Sequence, residues 1–435
     1  MAVTEERIVD NPSWIQRLGS SFKGVLFGIV LFIAGFPILF WNEGRAVATA
    51  KRLAEGAGAV VDVPADKIDA ANEGKLVHVS GKADTQDVLS DEAFGVSATA
   101  LRLKRTMEVY QTVEHSETKR VKEGDKTREI TTYTYSNEWC GKPVDSSQFH
   151  DAAKRAANPP AAMPYSDVDK VAQNVTLGAF KLSEAHVKRI GGKVPFQFPV
   201  DFKVPATLPG GQFQNGVFYV PYNAVTAVAQ TPAPTPASSG VSPLLAAAQA
   251  AATNVATAVA NAAASAIVGG HSVAMAPVPG DVRVTFSVVL PHDVTVVEQQ
   301  TGGTLAPWAA SDDDTLSFVR DGIVPAAKIF ADAKSANSKI TWLLRLAGLL
   351  VMYFGLKMVL GPIDTLVDMI PILNGIVAMG TSLVAGLVSG ACALLTIGIA
   401  WIYYNPWVGI PLVVVGAGLL VMMFLKKKKA VAAAT

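Results

Sequence analysis

Six histidines, His78, His115, His150, His186, His271 and His292, are the first candidates for chemistry. Imidazole acts as a base near neutral pH and as a metal ligand. No two of them carry the HExxH spacing that sets two imidazoles on one helical face around zinc. His115 and Glu117 read as a solvated pair in a polar loop. Asp312-Asp313-Asp314 lacks the other positions of a calcium loop, so a solvated acidic loop is expected there. Cys140 and Cys392, the two cysteines, fall in different regions and form no redox pair. A nucleophilic Cys140 would need an activating histidine or helix end. GxSxG, Walker A and Rossmann fingerprints do not occur. No catalytic, cofactor-binding or metal-ligating residue is assigned, and no cofactor is expected.

Charges inside apolar sequence are the next candidates. Arg345 and Lys357 stand in a long apolar run, where an ionisable residue marks a functional site by default. Each lies near a predicted helix end, so snorkelling to the interface accounts for both. Asp364 and Asp368 lie one turn apart opposite Ile363, Leu366, Val367 and Ile370, a pattern that predicts a short interfacial helix over about 362–371. Small residues recur every four positions at Ser20, Gly24 and Gly28, and at Ala378, Ser382, Gly386 and Gly390. Such spacing lets helix backbones approach closely in lipid, within one chain or between copies.

The elements that hold these residues follow from composition. The chain has 435 residues, of which 50% are hydrophobic and only 17% charged, and its mean hydropathy is +0.32. A soluble domain carries about 25% charged residues, so a membrane protein is indicated. The balance of 37 basic and 36 acidic residues argues against a nucleic-acid partner. The first apolar run, 22–41, is long enough to cross a bilayer and too long for a cleaved signal sequence, although Ala46-Val47-Ala48 resembles a cleavage site. From Met369 to Leu425 there is no charge, and Pro371 and Asn405-Pro406 divide the region into helices at about 341–361, 376–402 and 407–425. That makes four transmembrane helices, one N-terminal and three C-terminal. Lys426 to Lys429 follow the last span and favour the cytoplasm, as do Arg17 and Lys23 before the first. Trp41, Trp342, Trp401, Tyr403, Tyr404 and Trp407 fall at the opposite ends, as one aromatic belt. Residues 1–21 and the basic tail 426–435 are thus expected in the cytoplasm.

Residues 42–339 then form a large extracytoplasmic domain between the first and second spans. Thr106–Glu114 and Glu129–Trp139 read as a long hairpin turning at Glu123 to Lys126. Lys75–Ser80, Val217–Tyr222, Val282–Leu290 and Val294–Gln299 also read as strands, while Ala93–Leu101 and Ala152–Ala157 lean helical. The class is α+β and β-rich. Val204 to Gly280 carries no charge, and about 231–279 is a Pro/Ser- and Ala-rich insert. Within it, Leu244–Val268 has helix start and stop signals. It fits a low-complexity insert, a poor fifth span, or a helix packed on protein, with a neighbouring copy as the expected partner.

The segments Asn11-Pro12-Ser13-Trp14, 17–24, 41–47 (WNEGRAV), 73–81 (EGKLVHVSG), 107–114 (MEVYQTVE), 133–139, Asn158-Pro159, Met163-Pro164, 280–284 and 342–362 (WLLRLAGLLVMYFGLKMVLGP) resemble the transmembrane protein 43 (LUMA) family over most of the chain. The resemblance implies four spans, a large lumenal or periplasmic loop, cytoplasmic termini and self-association. For animal members it implies the endoplasmic reticulum and inner nuclear membrane; the alanine-rich composition suggests a bacterial source instead, for which the inner membrane is expected. It supplies no catalytic residues, and the Ala-rich insert departs from the family pattern. The resulting expectation is a non-enzymatic multi-pass scaffold whose partners are itself, the lipid bilayer and other membrane proteins. A transporter or channel is the alternative, and an extracytoplasmic membrane-bound enzyme comes after it.

Overall fold

The structure, a computed structural model, describes residues 3–10, 14–123, 126–159, 165–205, 208, 211–222, 276–312, 314–367, 371–404 and 406–432. Four long helices make a bundle: α1 (Trp14–Ala59), α3 (Ala326–Val367), α4 (Pro371–Tyr404) and α5 (Pro406–Ala432). The short α2 (Glu184–Arg189) belongs to the β domain. Three helical stretches are long and apolar enough to cross a membrane, Lys23–Ala59, Ala326–Ile363 and Gly380–Tyr404, and Gly409–Leu419 is a shorter apolar helix. Leu26, Phe27, Val30 and Ile33 on α1 and Leu343, Leu346 and Phe354 on α3 are exposed, apolar surface that suits lipid.

The helices exceed the predicted spans. α1 has 46 residues, about 69 Å at 1.5 Å per residue, against a hydrocarbon core of about 30 Å. Its excess continues past Trp41 and runs beside the first part of α3 as a stalk. The stalk enters the β domain, where Leu53 of α1 and Ile329 and Phe330 of α3 join Leu76, Val297 and Leu316 in one buried cluster. The expected interfacial helix over 362–371 is instead a continuation of α3 through Val367, with 368–370 outside the described residues. Pro362 sits inside that helix without ending it.

Helix packing uses glycine, with a different period from the one expected. A Cβ at Gly28 would lie 2.6 Å from the Gly355 carbonyl oxygen, and one at Gly355 would lie 2.5 Å from the Phe32 amide nitrogen. Gly35 meets Met352, and Gly348 meets Leu39. The glycines on α1 (28, 35) and α3 (348, 355) are each seven apart, so they fall on one face two turns on. The α4–α5 pair repeats the device, with Gly409 against the Gly398 carbonyl and Gly416 against Ala391 and Leu395. Among the four-residue stripes, Gly28 lies at this contact and Gly24 only brushes Met358 at 3.9 Å. Gly386 touches Tyr353 at 3.9 Å, and Gly390 has no described neighbour within 4 Å. Ser382 lies on the same helix, and the side chains of Ser20 and Ala378 lie outside the described residues.

The β domain holds two main sheets. The eight-stranded sheet runs Val3–Asp10, Lys126–Cys140, Arg102–Glu123, Val282–Val289, Val217–Val220, Gln212–Gln214, with Val168–Val171 on Arg102–Glu123 and Lys193–Pro195 on Val282–Val289. The seven-stranded sheet runs Phe318–Asp321, His292–Thr301, Thr304–Ala306, Phe180–Leu182, Val175–Leu177, Leu76–Thr85, Val61–Val63. Alternation drives both. Val282, Val284, Phe286 and Val288 point into the core while Arg283, Thr285 and Ser287 do not. The predicted hairpin forms from Arg102–Glu123 and Lys126–Cys140. Ala93–Leu101, expected to lean helical, instead contains the strand Val96–Thr99, because Gly95 at φ +63° turns the chain back onto Val88–Asp91. The Ala-rich Leu244–Val268 lies outside the described residues. The chain on either side of the insert meets at one carboxylate, since the Tyr222 and Val278 amides donate to Asp281 at 2.9 and 2.8 Å.

One strand departs from the expected topology. Val3–Asp10 pairs antiparallel with 126–133 near the hairpin turn. The sequence places residues 1–21 and the hairpin on opposite sides of a bilayer. A hairpin carrying Glu117, Lys119, Arg120 and Glu129 cannot lie in lipid, so one embedded chain cannot hold both arrangements at once.

Candidate functional site

Where the stalk leaves the bundle, α1, α3 and α4 converge on a fully buried carboxylate, Glu43. Arg345 grips it with a two-pronged ion pair, Nε to Oε1 and Nη2 to Oε2, each at 2.7 Å. The Trp401 indole donates to Oε2 at 2.7 Å, and the Asn42 amide donates to Oε1 at 3.4 Å and to the Thr341 carbonyl at 3.2 Å. Two residues on, Arg45 donates to Asn337 Oδ1 at 3.0 Å and Thr341 Oγ1 at 3.1 Å, and Asn337 returns a bond to the Ala46 carbonyl at 2.9 Å. Arg45 Nε is buried without a partner among the described residues.

The chemistry is that of a clamp. An ionised carboxylate is costly to bury unless its lone pairs are filled by charged or strong donors. Arginine's planar fork matches it, and the resulting bonds are short and directional. The Arg345 guanidinium also lies 4.7 Å over the Trp342 ring. Arg345 was expected to snorkel; it turns inward because Glu43 offers a stronger partner than interfacial water. Trp41 and Trp342 adjoin this clamp in sequence, and Trp401 takes part in it. The other intramembrane cation, Lys357, donates to Thr381 Oγ1 at 2.6 Å, bridging α3 and α4. Glu43 was not singled out in the sequence. A signal existed: a carboxylate just past the Trp41 end of one span and an arginine just inside the Trp342 end of another lie at the same depth.

The described histidines do not gather. His78 pairs with Asp62, His115 with Glu138, His150 with Glu5, His186 with Glu298 and His292 with Asp321, and His271 lies outside the described residues. His115 is on a strand, not a loop, and bonds across the hairpin to Ser136 and Glu138, each at 3.0 Å. His186 has the most developed setting. Its Nε2 lies 2.6 Å from the buried Glu298 Oε2, and its Nδ1 lies 2.9 Å from Ser183 Oγ. Those contacts mimic a nucleophile relay. Yet Nδ1 also accepts the Ser183 backbone N–H at 3.0 Å, so its lone pair is committed to capping α2.

The acidic loop is held by protein. Arg52 of the stalk donates to Asp312 at 2.9 Å and pairs with Asp314 at 2.6 Å. Its guanidinium holds the Asp312 carboxyl below the usual range. Burial pushes the Cys140 thiol up, the opposite of an activated nucleophile. Among the described residues no group of three or more His, Cys, Asp and Glu is placed to hold a metal ion.

An extramembrane β domain carried on long apolar helices defines a class, the multi-pass membrane protein with a large domain inserted after its first span. Within that class the chain belongs to the Transmembrane protein 43 family, whose model matches residues 109–406. It is 29% identical to Transmembrane protein 43 of Rattus norvegicus over 408 residues, covering 91% of this chain and 88% of the relative. The Homo sapiens protein is 28% identical over 408 residues with the same coverage. The Drosophila melanogaster homolog is 26% identical over 412 residues, 92% of this chain and 94% of the relative. No solved structure matches the chain.

Proposed function

We propose that this protein is a non-enzymatic membrane scaffold that self-associates and organises membrane structure or membrane protein complexes. The observation that carries this reading is the unbroken run of α1 and α3 from the bundle into the β-domain core, locked at Glu43. It makes the outer domain a rigid extension of the membrane helices. Gly390, with open space around it, supports self-association, since a neighbouring helix can approach closely there. Native mass spectrometry of the full chain in nanodiscs tests it. The wild type is expected as an oligomer that Gly390→Leu weakens without unfolding the chain; a wild-type monomer at all concentrations overturns the reading.

The orientation that fits this role puts the β domain on the non-cytoplasmic side and Lys426 to Lys429 in the cytoplasm, with Gly409–Leu419 completing a fourth crossing. The exposed apolar face of α1 favours a true crossing over the pairing of Val3–Asp10 with the hairpin, so in the membrane the N-terminal strand leaves the hairpin. A membrane-impermeant thiol reagent is expected to reach a cysteine at Thr118 from outside, and cysteines at Thr4 and Ala432 only after lysis. Outside labelling at Ala432 defeats the four-span orientation; outside labelling at Thr4 shows the hairpin pairing instead.

A further inference from the structure

The eight-stranded sheet splits at Phe286. On one side Val217 of the neighbouring strand pairs with Thr285, and on the other Pro195 pairs with Ser287. Between them the strands diverge and open a groove of about 730 Å³, within the range of about 300–1,000 Å³ typical of small-molecule sites. Its walls are aromatic: Phe198 lies 4.7 Å from Phe196 and 4.5 Å from Phe213, centroid to centroid, and Phe286 closes the floor. Phe196 and Phe198 are only half-buried, and Val200 on the rim is fully exposed. The polar lining is the hydroxyls of Thr106, Thr285 and Ser287 and the amides of Gln197 and Asn215, and Lys193 is its one charged residue. No described carboxylate pairs with Lys193.

We propose that this groove binds a single acyl chain bearing an anionic head group, with the chain along the phenylalanine wall and the head at Lys193. The half-buried Phe196 and Phe198 rings leave apolar surface open to water, which a hydrocarbon chain can cover. The single positive charge selects an anion, and the hydroxyls can donate to its oxygens. An extended peptide fits less well. It would need free backbone groups on Val282–Val289, yet the Phe286 carbonyl already accepts the Phe196 amide at 3.0 Å across the gap. One chain, not two, suits the volume. The head can be the carboxylate of a fatty acid or the phosphate of a lysophospholipid.

The test uses the full chain in amphipol, with equilibrium dialysis against radiolabelled palmitate, lysophosphatidic acid and neutral monopalmitoylglycerol. Saturable uptake of at least one anionic probe is expected, and which one binds identifies the head group. Lys193→Glu is expected to weaken that probe at least tenfold while leaving monopalmitoylglycerol unchanged. Thr285→Trp, which fills the groove from its solvent side, is expected to abolish uptake of all three. Wild-type protein that takes up neither anionic probe above empty amphipol overturns the proposal, as do two variants that bind like wild type.

Discussion

Among the described residues two glutamates are fully buried, Glu43 at the edge of the membrane bundle and Glu298 in the β-domain core, and they are held by different chemistry. Glu43 takes a bidentate arginine and an indole from two other helices. Glu298 takes the His186 imidazole and the Ser317 hydroxyl, with the Arg189 guanidinium at 3.5 Å. The difference is what each partner does when left alone. Arginine keeps its charge under all conditions, so Arg345 and Glu43 are obligate partners wherever water is scarce. Imidazole can shed its proton and remain as a neutral, still hydrogen-bonded group. The bundle therefore depends on its carboxylate more than the domain does.

Removing Glu43 is the strongest way to break that comparison. Glu43→Ala leaves Arg345 charged and largely buried, and loss of one partner of a buried pair costs about 3–5 kcal/mol. Unfolding in nanodiscs, followed by hydrogen exchange in the stalk, should show the loss at the α1–α3–α4 junction. Glu43→Ala with Arg345→Met should recover part of it, because no orphan charge remains; a double variant as unstable as the single one would show that charge pairing is not what holds the junction.

Glu298→Gln sharpens the comparison from the other side. The amide keeps the shape and one acceptor oxygen for His186, while its NH2 faces Ser317 Oγ, which must then accept, so the expected cost is about 1–3 kcal/mol. Faster amide exchange should be confined to α2 and its Ser183 cap, with the bundle unaffected. A loss equal to that of Glu43→Ala would erase the distinction between the two sites.

The sequence reveals the two regions unequally. Apolar runs locate α1, α3, α4 and α5 because lipid demands continuous hydrophobicity, and alternation locates the strands 282–289 and 102–140. What escapes is contact at long range. Glu43 and Arg345 are separated by 302 positions, and each alone looks like an ordinary interfacial charge. The seven-residue glycine repeat also escapes: Gly28, Gly35, Gly348 and Gly355 acquire meaning only once two antiparallel helices are aligned. The four-residue stripe at Gly386 and Gly390 is real in sequence, yet α4 does not use it for a close contact among the described residues. Local stop signals compete as well, so Gly95 overrides the helical lean of Ala93–Leu101.

A third carboxylate, exposed Asp312, sets the lower end of the scale. Arg52 binds it from the stalk, and the Arg52 hydrogen bond is the main cause of its lowered pKa. The sign follows. A carboxyl whose folded value lies below its reference of 3.8 adds stability above that reference, and the stability disappears as pH falls through the depressed value. Exposure and salt screen the pair, so Arg52→Ala should lower Tm by under about 2 °C at neutral pH. That difference should stay flat above the reference value of 3.8 and shrink as pH falls through the depressed one. Raising the salt concentration should shrink it further, whereas salt should leave the Glu43→Ala loss nearly unchanged, because the buried clamp lies beyond the reach of counterions. A salt-sensitive Glu43 effect would mean that the junction is wet, and the bundle would then hold its carboxylate as the surface does.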